Sequence, residues 1–141
     1  NNNMKKISFL VALCISAVFF SRCKEEVTEC DIEGLACTQI FTTKQVSVKN
    51  TEGLVVDLDS VVVKKSGDNS VLFSEVITDN SEGIYKLISD SEKENIVKEG
   101  TDVTFYGYIS GIEKVKEDFK VGHDCCHVVY ISGTSDIVIS E

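Results

Sequence analysis

Two cysteines stand side by side near the end of the chain, Cys125 and Cys126, and two more, Cys30 and Cys37, stand near the start of its globular part. Four cysteines allow three pairings. A bond between Cys125 and Cys126 would close across neighbouring Cα atoms about 3.8 Å apart, below the usual disulfide span of roughly 4.4–6.8 Å, and is strained. Both remaining pairings join the 30–37 segment to the 125–126 pair. Either one obliges the fold to bring the beginning of the domain to its end. Closing so long a loop stabilises by roughly 4–5 kcal/mol in the chain-entropy model, less any strain. The bonds persist only in an oxidising compartment, so the residues ahead of the domain decide whether they form.

Residues 1–22 read as a signal peptide. Asn1, Asn2 and Asn3 precede Met4, the expected start. Lys5 and Lys6 form a charged beginning, and residues 7–20 are an apolar run of the length of a signal core. That run is short of the roughly 20 residues a membrane-spanning helix needs. No Ala-x-Ala cleavage site follows. Phe20-Ser21-Arg22-Cys23 instead resembles a lipobox, departing from it at Arg22, where a small residue is usual. The resemblance implies that Cys23 is lipidated as the first mature residue. Each buried acyl CH₂ then contributes about 0.8 kcal/mol to membrane attachment. Lys24-Glu25-Glu26 resembles the basic-then-acidic export signal of Bacteroidota-type lipoproteins. It implies a cell-envelope location at the outer membrane, on the periplasmic or the surface face. Residues 23–36 read as the lipidated cysteine and a polar tether, and residues 37–141 as the folded domain.

The formal net charge is −9, and every acidic residue lies after Cys23. Without Lys5, Lys6 and Arg22, eleven basic residues face 23 acidic ones, about −12. Such a balance argues against a nucleic-acid partner, which requires basic surface to displace counterions. It also argues against docking on anionic lipid through a basic patch; the plain reading is that the charge keeps a small protein soluble and monomeric.

From Ile40 onward the pattern is β. Val46-Ser47-Val48 alternates before a turn at Asn50-Thr51-Glu52-Gly53. Residues 54–65 are an apolar, β-branched strand, and Ser66-Gly67-Asp68-Asn69 is a turn. Residues 71–78 and 84–88 follow as strands, with Tyr85 and Leu87 on one face. Residues 103–109 form an aromatic strand through Phe105-Tyr106-Gly107-Tyr108. Val115, Phe119 and Val121 share a face of the next strand. Residues 127–131 and 137–139 complete the chain. Only residues 91–98 have a helical pattern, with Ser91 and Glu94 as a capping box and Gly100 as the stop. Seven to eight short strands at this spacing specify an all-β fold, a single β-sandwich.

The stretch 46–88 resembles the opening of a carboxypeptidase-regulatory-like domain, a transthyretin-like (prealbumin-like) sandwich. The carrying residues are Val46-Ser47-Val48, Glu52-Gly53, Leu58-Asp59-Ser60-Val61-Val62-Val63 and Gly83-Ile84-Tyr85. The sequence lacks the Pro that often follows the turn glycine. Ala36-Cys37-Thr38 together with Asp124-Cys125-Cys126-His127 resembles a set of small lipoproteins that pair these two motifs. The resemblance implies an accessory or binding module with no catalytic residues.

The chemistry-bearing residues are few. Both histidines flank the cysteine pair in His123-Asp124-Cys125-Cys126-His127. On an extended strand His123, Cys125 and His127 share one face and Cys126 takes the other. Two imidazoles and a thiolate are zinc or copper ligands, although the spacing matches no established zinc signature. A disulfide set accounts for all four cysteines at once. Asp57 and Asp59 share a strand face and, with Asp68, Asp79 or Asp90, are calcium candidates without an EF-hand pattern; solvated carboxylates are the plainer reading. Tyr85, Phe105, Tyr106 and Tyr108 are candidates for a carbohydrate platform, with Phe105 expected in the core. Neither a Ser-His-Asp set nor a phosphate loop is present. The expectation is a non-enzymatic, membrane-tethered lipoprotein with no cofactor and a protein or glycan partner. The alternative is a metal-binding periplasmic protein using His123, Cys125, Cys126 and His127.

Overall fold

The computed structural model describes Cys30 and residues 36–140. The expected signal peptide, Cys23 and most of the expected 23–36 tether lie outside the described residues. Eight strands form two sheets. They are β1 (Thr43–Asn50), β2 (Ser60–Lys65), β3 (Val71–Val76), β4 (Ile84–Ser89), β5 (Thr101–Ile109), β6 (Ile112–His123), β7 (Val128–Ser132) and β8 (Asp136–Ile139). The small sheet has the order β4-β1-β8, and the large one β3-β2-β5-β6-β7. All neighbours are antiparallel except β1 and β8, which run parallel.

The sheets meet through the residues that alternation selects. Val46 and Val48 from β1 and Tyr85 and Leu87 from β4 are buried against Val61, Val63, Val103, Phe105, Val115, Phe119 and Val121 of the large sheet. Gly107, opposite Val61 on β5, leaves room for Leu58, since a Cβ there would stand 2.5 Å from a Leu58 methyl. Ser110 and Gly111 both hold positive φ, 51° and 75°, and close the β5–β6 hairpin in two residues. Asp59 accepts a hydrogen bond from the Ser110 amide and holds that turn against the start of β2.

The expected strand at 54–65 divides. Its second half is β2, while residues 51–59 carry the chain from the small sheet to the large one. Val55 bridges Lys49, and the Asp59 amide donates to the Tyr108 carbonyl of the other sheet. Between these two contacts the segment is not part of either sheet's ladder, and its buried amides and carbonyls must find partners. Tyr85 supplies them. Its hydroxyl donates to the Val56 carbonyl at 2.6 Å and accepts from the Leu58 amide at 2.8 Å. Burial pushes the Tyr85 phenol above its usual pKa.

The expected helix at 91–98 is a 3-10 helix, Asp90–Asn95, and its cap lies two residues earlier than the sequence suggested. Ser89 ends β4 with extended backbone and so already has the geometry of an N-cap. The Glu92 carboxylate accepts from the Ser89 amide and hydroxyl, both at 2.8 Å. Ile96, drawn into the core at 5% exposure, returns the chain to an extended path and stops the helix before Gly100.

Tyr85→Phe preserves the ring and deletes the hydroxyl. It leaves two buried backbone groups without partners, so a loss of about 1–3 kcal/mol is expected. Urea unfolding of the variant measures this, and an unchanged midpoint would refute the hydroxyl's role.

Candidate functional site

The longest strand, β6, ends at His123, and the chain turns through residues 124–127 before β7 begins. Four residues of this turn and its borders carry imidazole or sulfur, so the turn collects most of the reactive side chains among the described residues. The turn is built locally by Asp124. Its Oδ1 accepts from the Cys126 amide at 3.0 Å and the His127 amide at 2.7 Å, and its own amide donates to the His127 carbonyl. The His127 amide bond, with help from that of Cys126, outweighs burial and holds the Asp124 carboxyl below its usual pKa. Cys125 takes a positive φ of 77°, uncommon for a side chain with a Cβ. The extended-strand expectation therefore fails: His123, Cys125 and His127 do not line one face, because regular strand stops at His123.

Both cysteines of the turn are cross-linked to the start of the domain. Cys30 pairs with Cys125 and Cys37 with Cys126, at Cα separations of 5.6 and 5.3 Å and sequence separations of 95 and 89. The structure thus selects one of the two pairings left open above. Adjacent cysteines bond to two points seven residues apart, and the segment leading into β1 is laid across the turn.

Asp90 clamps the arrangement from the other side. Oδ2 accepts from the Thr42 amide and from His127 Nδ1, and Oδ1 accepts from the Val128 amide, each at 2.8 Å. A carboxylate only accepts, so His127 Nδ1 carries the proton. His127 Nε2 lies 2.9 Å from the Thr38 hydroxyl, so both ring nitrogens have partners. Burial alone would raise the Asp90 pKa; the bonds from His127, Val128 and Thr42 outweigh it and lower the value. Lys93, on the 3-10 helix, donates to the Cys125 carbonyl at 3.0 Å and reaches that of Cys126 at 3.4 Å.

His123 faces differently. It is buried at 8% exposure, and its Nδ1 accepts from the Cys125 amide at 3.2 Å while lying 3.9 Å from Cys30 Sγ. Ligand atoms of Cys30, His123 and Cys125 all lie within 4.8 Å of one another. The four-residue metal set suggested by sequence is therefore distributed over two environments. His123 and Cys125 sit with Cys30, whereas His127 is held by Asp90 and Thr38, and Cys126 by Cys37.

Other candidates have structural partners. Asp59 holds Ser110 and Ser60, Asp68 holds Ser70, and Asp90 holds His127; among the described residues the calcium candidates Asp57, Asp59, Asp68, Asp79 and Asp90 form no group of converging ligand atoms. Phe105 is fully buried, and Tyr85 is in the core. Tyr106 and Tyr108 are half-buried on the outer face of the large sheet, with Lys64 and Lys116 ammonium groups 5.2 and 5.8 Å from the Tyr106 ring centre. Sequence reasoning missed Lys93 and the roles of Thr38 and Asp90: Asp90 was weighed only as a calcium ligand and Thr38 stood only in a resembling motif, and no local pattern ties either of them to His127.

The lowered Asp90 and Asp124 values have a signed consequence. Such a carboxyl binds its proton less tightly folded than unfolded, so its contribution is complete above the ordinary value of 3.8 and disappears as pH falls through the folded value. Asp90→Asn is expected to cost about 1–3 kcal/mol at neutral pH. It should also flatten the fall of melting temperature between pH 5 and pH 2, because an amide has no proton to gain. A variant profile parallel to the parent's would remove Asp90 from the account. No family model, curated protein or solved structure matches this chain.

Proposed function

We propose that this chain is a non-enzymatic envelope lipoprotein, held at the outer membrane through a lipidated Cys23, whose β-sandwich serves as an accessory or binding module for a protein or glycan. The observation that carries this reading is the pair of disulfides, Cys30–Cys125 and Cys37–Cys126. Such bonds persist in oxidising compartments and are rare in the cytosol. They also start seven residues after Cys23, so a domain tethered there stays close to the bilayer. The acidic balance supports attachment by acyl chains rather than by surface charge. The half-buried Tyr106 and Tyr108 on the outer face support a contact surface for a partner, since a tyrosine pairs an apolar ring with a polar hydroxyl. The sandwich is of the transthyretin-like kind in this reading, on the strength of the β1, β2 and Gly83-Ile84-Tyr85 resemblance.

A second reading, a metal-binding periplasmic protein, is supported by one observation, the convergence of Cys30, His123 and Cys125.

Expression of the full chain with its own leader in a didermal bacterium tests the first reading. The protein should fractionate with outer membrane, and intact mass should show an acylated Cys23 as its first residue. Cys23→Ser should abolish acylation and leave the uncut leader on the chain. Soluble, unacylated parent protein would overturn the proposal.

A further inference from the structure

Cys30, His123 and Cys125 do not need the rest of the histidine-cysteine motif to form a ligand set. We infer that the Cys30–Cys125 disulfide is the oxidised form of a zinc site, in which Cys30 Sγ, Cys125 Sγ and His123 Nδ1 bind the ion once the bond is reduced. The inference deepens the metal-binding reading and does not depend on the lipid anchor.

The geometry is near that of a bound ion. Zinc–sulfur and zinc–nitrogen bonds of about 2.3 and 2.0 Å at a tetrahedral angle place the two donors about 3.5 Å apart. Cys30 Sγ and His123 Nδ1 are 3.9 Å apart. The Cα atoms of Cys30 and Cys125, 5.6 Å apart, leave space for two thiolates to flank one ion. The imidazole already presents the correct nitrogen. Nδ1 accepts the Cys125 amide proton, so it carries none in the neutral ring, and the same atom lies 3.9 Å from Cys30 Sγ. The ion would take the Nδ1 lone pair in place of the amide.

The chemistry balances with a dithiol as reductant. A dithiol thiolate attacks one sulfur, its second thiol closes the mixed disulfide, and Cys30 and Cys125 leave as thiols while the dithiol becomes a disulfide. Zinc then displaces two protons, one from each thiol. His123 is neutral and releases none. Cys30 and Cys125 are half-buried, so a reductant has access to the bond, and His123 lies beneath them.

Contacts without sulfur keep the turn in place after reduction. Asp124 holds the amides of Cys126 and His127, Lys93 holds the carbonyls of Cys125 and Cys126, and Asp90 holds His127 and Val128. His127 stands in a different setting: its Nδ1–H is directed at Asp90, and its Nε2 lies 2.9 Å from the Thr38 hydroxyl rather than beside Cys30.

The test uses the full-length oxidised chain, reduced with a dithiol and freed of it, then given zinc chloride. One zinc per chain is expected, with Cys30 and Cys125 shielded from alkylation and Cys37 and Cys126 modified, as read by peptide mass. His123→Ala should weaken zinc binding by at least about tenfold, while formation of both disulfides in its oxidised form shows that it folds. His127→Ala should bind zinc as the parent does. Zinc that shields Cys126 and depends on His127 would overturn this site and keep the metal-binding reading. A reduced chain that retains no zinc, or that loses its sheet structure and does not regain it with zinc, would overturn both.

Discussion

One carboxylate joins the three parts of this protein that the chain order keeps apart. Asp90 stands where β4 gives way to the 3-10 helix. Its two oxygens bind the amide that precedes β1, the amide that opens β7, and the imidazole of His127. β1 belongs to the small sheet and β7 to the large one, so this side chain links the sheets at one end of the sandwich. Elsewhere in the sandwich the Tyr85 hydroxyl does equivalent work, satisfying the backbone that crosses between sheets. Between the two lies an apolar core whose burial is non-directional. It favours compaction of the sheets without specifying how the ends are joined. The polar contacts of Asp90 and Tyr85 supply that specificity.

The disulfides act on the same region by another route. Each closes a loop of about ninety residues, and in the entropic model such a loop destabilises the unfolded chain by several kcal/mol. Domains of this size are stable by only about 5–15 kcal/mol in total. The bonds therefore contribute a large part of the margin, while Asp90, Asp124 and Lys93 position the turn that receives them. Because the turn has its own hydrogen bonds, cross-links and local geometry are separable influences on one structure.

This separation also divides the two histidines. They are four residues apart in sequence and lie in different chemical settings. His127 has a defined tautomer, directed by a carboxylate. His123 is buried beside sulfur with the opposite nitrogen unprotonated. A cluster that reads as one motif lies in two settings, one clamped by Asp90 and Thr38 and the other beside the Cys30–Cys125 disulfide.

Much of the fold was legible in the residues themselves. Period-two alternation places side chains on opposite faces by covalent geometry alone. That is why Tyr85 and Leu87, and Val115, Phe119 and Val121, read as sharing a face, and why Val46 and Val48 alternate with Ser47; the sheets bury all seven. The chemistry of adjacent cysteines likewise required the domain's two ends to meet. Local pattern was insufficient wherever a partner came from far along the chain. The choice between two disulfide pairings, the conversion of 54–59 from strand to crossing, the capping of the 3-10 helix by Ser89, and the recruitment of Asp90 to His127 all depend on contacts made by other elements. Periodicity and spacing are properties of neighbouring residues. A hydrogen bond across 37 positions or a disulfide across 95 exists only after the sheets have packed.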